Sequence, residues 1–112
     1  MIIIPQSIKE KSSAQDLKER LDWGEPALTI IDIRSRDSFN TCRIRGAISL
    51  PKDSLVKETL KNLEFERDIY IYGDDQEQVA NFTSLLRTLG YQHVSELMGG
   101  LKAWKNAGFP TE

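Results

Sequence analysis

Along this chain, short apolar runs alternate with segments whose apolar residues recur every third or fourth position. Leu28-Thr29-Ile30-Ile31-Asp32-Ile33 is nearly continuous in apolar residues, the pattern of a strand buried on both faces. Ile69-Tyr70-Ile71-Tyr72 is a second such run, β-branched and aromatic throughout, and it leads straight into Gly73. Gly46-Ala47-Ile48-Ser49-Leu50, closed by Pro51, predicts a shorter strand, and His93-Val94-Ser95 predicts another. The segments between carry helical spacing. Ser12 or Ser13 can cap a first helix with Asp16 in its first turn, Leu17 and Leu21 on one face, and Gly24-Glu25-Pro26 as its stop. Ser54 can cap a second, where Val56, Leu60 and Leu63 share a face. Val79, Phe82, Leu86 and Leu89 form the apolar stripe of an amphipathic helix that ends at Gly90. After the Gly99-Gly100 turn, Leu101 and Trp104 mark a last helix that stops at Gly108 and Pro110. Strands alternating with helices predict an α/β domain, a mainly parallel sheet covered by helices. Trp23, Phe39 and Trp104 are expected as core or staple residues rather than ligand stackers.

Composition narrows the class. A chain of 112 residues fits one domain, residues 1–112, with a core over about 13–110. Hydrophobic residues at 39% and charged residues at 29% are ordinary for a soluble globular protein and argue against disorder. A net charge of -2 implies no general attraction to nucleic acid or an anionic membrane, so neither is expected as a partner. Arg34, Arg36, Arg43 and Arg45 cluster with only Asp37 opposing them. A solvated loop with one or two structural ion pairs is the favoured reading; a docking surface for an acidic partner is the sharper one. Cys42 is the only cysteine, which excludes an intrachain disulfide and suggests a reducing compartment. Met1-Ile2-Ile3-Ile4 stops at Pro5, too short for a signal peptide or membrane span, so the expected location is the cytoplasm.

Two groups of residues carry a family resemblance. The first is Ile31-Asp32-Ile33-Arg34, then Phe39, then Ile44-Arg45-Gly46-Ala47-Ile48. The second is Leu89-Gly90-Tyr91, Val94, Leu97, Gly99-Gly100, Ala103-Trp104, Ala107-Gly108 and Pro110. Together, in this order and spacing, they resemble the opening and closing signatures of the rhodanese (thiosulfate sulfurtransferase) fold. The resemblance implies a twisted parallel sheet of about five strands with helices on both faces. It also implies an active loop between a central strand and the next helix. Open α/β sheets bind ligands beyond the carboxyl ends of their strands, where loop amides and a helix N-terminus face the anion. Here that place follows Tyr72.

The loop departs from the family pattern. Catalytic members end this strand in a cysteine that takes up sulfur as a persulfide, and five residues later carry a cation, usually arginine. Counting back from Leu86 and Gly90 puts Gly73 in the cysteine position and Gln78 in the arginine position. Neither can do the family's chemistry. Asp74, Asp75 and Glu77 would repel thiosulfate and would raise the pKa of a thiol placed among them. Asp74-x-x-Glu77 and Asp75-x-x-Gln78 both match a capping box, so the stretch Gly73-Asp74-Asp75-Gln76-Glu77-Gln78 reads as a vestigial active-site loop whose anion site is filled by its own carboxylates.

The remaining chemistry is thin. The three carboxylates lack the spacing of a calcium loop, His93 stands alone as a strand-edge or surface residue, and neither metal nor cofactor is expected. Asp32 and Arg34 are read as an ion pair that anchors loops. Cys42 is a candidate reactive thiol if Arg43 and Arg45 lower its pKa, though a small residue filling a gap is the plainer reading. The expected function is a non-catalytic rhodanese-like domain, a binding or regulatory module for a protein partner or small ligand. The alternative is a sulfur-handling or redox protein that uses Cys42.

Overall fold

The computed structural model describes residues 8–23, 28–51 and 56–112. In chain order they form β1 (Lys11–Ser12), α1 (Ala14–Asp22), β2 (Leu28–Asp32), α2 (Arg36–Thr41), β3 (Ile48–Ser49), α3 (Val56–Leu60), β4 (Asp68–Tyr72), α4 (Gln76–Thr88), β5 (His93–Leu97) and α5 (Gly100–Asn106). The strands make one five-stranded sheet in the order β1-β5-β4-β2-β3, and every pairing is parallel.

Alternation along the strands separates two cores. Ile69 and Ile71 of β4 face α4 and α3, packing with Ile31, Val79, Phe82 and Leu86. Tyr70 and Tyr72 point the other way, joining Leu17 of α1, Ile44, Leu97 and Trp104 of α5. Both faces are thus covered, as the nearly continuous apolar runs require. The β2–β4 register runs from Leu28↔Asp68 to Asp32↔Tyr72, so the two strands finish level and Gly73 leaves the carboxyl edge beside Ile33.

α1 begins as expected. Ser13 Oγ accepts the Asp16 N–H at 3.0 Å, and the Asp16 carboxylate accepts the Ser13 N–H at 2.9 Å, a reciprocal box. The anticipated stop at Gly24-Glu25-Pro26 and the Ser54 cap lie outside the described residues.

Other expectations change. Trp23 is 79% exposed, not core. It caps the C-terminus of α1 two positions past Leu21, about 200° around the helix from the buried face. Trp104 is buried, donates its indole N–H to the Pro110 carbonyl at 2.7 Å, and meets Phe109 edge-on; Phe39 is half-buried against the same core. β3 is only Ile48–Ser49, because Gly46 at φ 88° makes a turn where a longer strand was predicted. α3 ends at Leu60, and the Leu63 N–H closes a turn onto the Leu60 carbonyl. β1 and α2 carry no periodic apolar signal: β1 is two residues whose Ser12 hydroxyl bonds Ser95 at 2.6 Å in a buried contact, and α2 buries no residue fully. His93 opens β5 opposite Asp68 and is half-buried, consistent with a place at the end of a strand.

Candidate functional site

The loop at the carboxyl edge is short because α4 starts at Gln76. Asp75 is its N-cap: the carboxylate accepts the Glu77 N–H at 2.8 Å, and the Asp75 carbonyl accepts the Val79 N–H at 3.1 Å. This corrects the capping-box expectation. The cap is one-sided, and among the described hydrogen bonds neither Glu77 nor Gln78 returns one to the cap backbone. A single carboxylate still satisfies an orphan donor and lies where the helix dipole favours negative charge. Asp74, Glu77 and Gln78 are exposed. Gln76 turns inward instead, donating its amide to Glu96 at 3.2 Å; Glu96 is a buried carboxylate on β5.

Gly73 is wedged. A Cβ there would lie 2.8 Å from Ile33 Cγ1, 3.2 Å from Ile33 Cδ1 and 3.2 Å from Val79 Cγ2. The Ile33 N–H donates to the Tyr72 carbonyl at 3.0 Å, which extends the β2–β4 ladder and holds Ile33 against the loop. On its other side, the Gly73 carbonyl lies 2.9 Å from where a Cβ on Gly100 would sit, and Gly100 has φ +54°. Glycine at 100 therefore lets α5 approach the loop backbone closely.

Beneath the loop is a buried polar cluster. Asp32 is fully buried and accepts from the Arg34 backbone N–H at 2.8 Å and its guanidinium at 2.7 Å. Arg34 donates further to the Cys42 carbonyl at 2.5 Å. Burial works against the arginine's charge, yet the hydrogen bonds and charge of Asp32 outweigh it and hold its pKa above the ordinary guanidinium range, with smaller help from Tyr72 and Asp74. The Tyr72 hydroxyl accepts the Ile44 N–H at 3.1 Å. Burial first, then its hydrogen bond to Asp32, pushes the Tyr72 phenol well above the ordinary 10, so it stays neutral. Asp32 and Arg34 thus tie the 42–44 connection to the sheet.

Cys42 caps the C-terminus of α2 and is half-buried. The Arg43 guanidinium donates to the Phe39 carbonyl at 3.1 Å and to Glu112 at 3.3 Å, and lies 4.5 Å over the Phe39 ring. Its charge is engaged there, while Arg36 and Arg45 are exposed. Two arginines of the basic run therefore make ion pairs, Arg34 with Asp32 and Arg43 with Glu112.

Among the described residues, no group of three or more His, Cys, Asp or Glu side chains is gathered to hold a metal ion, and Asp74, Asp75 and Glu77 do not converge. No described helix is long and apolar enough to cross a membrane. Sequence reasoning placed Gln76 in the loop without a partner, and gave Ile33, Glu96 and Tyr72 no role at the site. Tyr72 and Ile33 lie in runs that read as plain core, and nothing near Gln76 in the chain points to Glu96.

Comparison with known proteins gives these features a family context. A model described as "Rhodanese-like domain" matches residues 13–107. The thiosulfate sulfurtransferase GlpE of Tolumonas auensis is 30% identical over 84 residues, spanning 72% of this chain and 76% of that protein. The slr1261 protein of Synechocystis sp. is 32% identical over 87 residues, spanning 78% of this chain and 48% of that one. The crystal structure of the Alr3790 protein from Anabaena sp. superposes with a TM-score of 0.85 at 51% identity over 90% of each chain.

Proposed function

Because this chain belongs to the rhodanese-like family, related to the sulfurtransferases, we propose that it is a non-catalytic member that acts as a binding or regulatory module. Sulfur transfer in the manner of that family needs a thiolate at the end of the central strand and a cation to hold the anionic donor. Position 73 offers no side chain, and position 78 offers a neutral, exposed glutamine. The observation that carries the reading is steric. The space a side chain at 73 would need is already taken by Ile33 and Val79. The exposed carboxylates of Asp74, Asp75 and Glu77 add repulsion toward thiosulfate or a persulfide. The Asp75 carboxylate already occupies the Glu77 amide. The same reading treats residues 1–112 as one domain and places the protein in the cytoplasm, where a lone thiol stays reduced.

The test is thiosulfate:cyanide and persulfide transfer by purified protein, with Cys42→Ala in parallel. No turnover in either is the expected result. Turnover that survives Cys42→Ala would overturn this account of the loop. Turnover lost with Cys42, together with a persulfide adduct on Cys42 by mass spectrometry, would establish the sulfur-handling alternative instead.

A further inference from the structure

We propose that the groove at the amino edge of the sheet, opposite the Gly73–Gln78 loop, docks a partner segment that presents an apolar side chain flanked by lysine or arginine. The proposal rests on the binding-module reading and names the surface and partner chemistry for it.

The groove has a volume of about 520 Å3 and a floor of Leu63, Phe65, Leu89 and Tyr91. Phe65 precedes β4 and Tyr91 precedes β5, which puts the groove where the parallel strands begin. Phe65 is 49% exposed, and Leu85, one turn before Leu89 on α4, is 43% exposed. Both are large apolar side chains left facing water. The floor is rigid. The Tyr91 hydroxyl donates to the Leu60 carbonyl at 2.7 Å, and the Gln92 N–H donates to the Phe65 carbonyl at 2.9 Å. The Phe65 ring meets Tyr91 edge-on at 5.0 Å and lies over Gly90, where a Cβ would come within 3.2 Å of it. A surface held this way loses little freedom when a ligand covers it.

Charge selects the occupant. Glu64 and Glu66 are exposed on either side of Phe65, and Lys61, the cation among the described lining residues, pairs with Glu58 at 3.6 Å. The rim is therefore net acidic around an apolar floor. An apolar side chain buried on Phe65 with cations beside it satisfies both; an acidic segment meets like charge at the rim. An open groove of about 520 Å3 suits a few side chains rather than a folded face.

The probe is an end-blocked peptide of sequence lysine-leucine-tryptophan-lysine, titrated into the 15N-labelled chain and followed by NMR, with its glutamate-for-lysine counterpart alongside. Expected are amide shifts centred on Leu63, Phe65, Leu89 and Tyr91, and affinity about 10-fold weaker for the glutamate peptide. Because removing the Phe65 ring endangers the fold, the deciding variant is Glu64→Gln with Glu66→Gln. It should weaken the lysine peptide about five-fold. Shifts centred on Asp74 to Gln78, equal binding of both peptides, no effect of the double variant, or no shifts at millimolar peptide would each overturn the proposal. So would self-association in sedimentation velocity that the double variant abolishes, since the occupant is then a second copy. Sulfur transfer on the same preparation reads the binding-module premise separately: absent turnover with no peptide shifts refutes the groove alone.

Discussion

Adding one methyl group at position 73 should destabilise this protein through a single contact. In Gly73→Ala the new Cβ lies 2.8 Å from Ile33 Cγ1 and 3.2 Å from Val79 Cγ2, against ~3.5–4.0 Å for an ordinary carbon contact. Gly73 is not among the positive-φ glycines, so its backbone suits alanine and the substitution gains about 0.4–1 kcal/mol from a stiffer unfolded chain. Overpacking a filled core costs about 1–3 kcal/mol and outweighs that gain. The expected net loss is about 1–2 kcal/mol, or about 4–8 °C in Tm for each kcal/mol. Ile33→Ala alone costs about 2–5 kcal/mol, because Ile33 is buried. In that background the methyl at 73 enters vacated space, and the double variant should recover at least about 1 kcal/mol relative to additivity. Urea unfolding followed by fluorescence of the buried Trp104, across the four-member cycle, measures this directly. A neutral or stabilising Gly73→Ala that adds independently to Ile33→Ala would falsify the steric account of the loop.

Three further outcomes follow from the same geometry. Gly73→Cys with Gln78→Arg, and with Asp74, Asp75 and Glu77 neutralised, should confer weak thiosulfate binding by calorimetry only when Ile33→Ala is included; equal binding with Ile33 intact contradicts the crowding argument. Tyr72→Phe leaves the Ile44 N–H without its acceptor and should cost about 1–3 kcal/mol in urea unfolding. Since burial raises the Tyr72 pKa in the fold, its contribution is present below the ordinary 10 and lost as pH rises above it. The variant should therefore flatten the alkaline limb of the stability profile, though Tyr70 and Tyr91, raised chiefly by burial as well, keep part of it. Asp16 is shifted the other way, held below its ordinary 3.8 chiefly by the Ser13 N–H. Its contribution is present above pH ~4 and lost as pH falls further, so Asp16→Asn should flatten the acid limb, and an unchanged limb in thermal melts would contradict the box.

Local rules are written along the chain, and they are why so much was legible there. The strands around Ile31 and Ile71, the stripe from Val79 to Leu89 and the Ser13 cap depend on neighbours within a turn or on alternation within one strand. The rhodanese-like signature adds the place of the loop after Tyr72. β1 and α2 escaped because neither carries an apolar repeat: β1 is held by strand pairing and the Ser12–Ser95 contact, and α2 lies beside a connection tied down by Arg34. Trp23 was misplaced because hydrophobicity alone does not say which side of a helix end faces the core. The sequence by itself determined that position 73 has no nucleophile and position 78 no cation. Only the tertiary structure decided that Ile33 fills the space beside Gly73, that Gln76 turns to Glu96, and that the Asp32–Arg34 pair reaches the Cys42 carbonyl. The reason is register. The contacts of Ile33 with Gly73 and of Gln76 with Glu96 exist only once β2, β4 and β5 are aligned, and no local pattern encodes which residues that alignment brings face to face, whereas the Arg34 bond to Cys42 closes within the 32–42 segment.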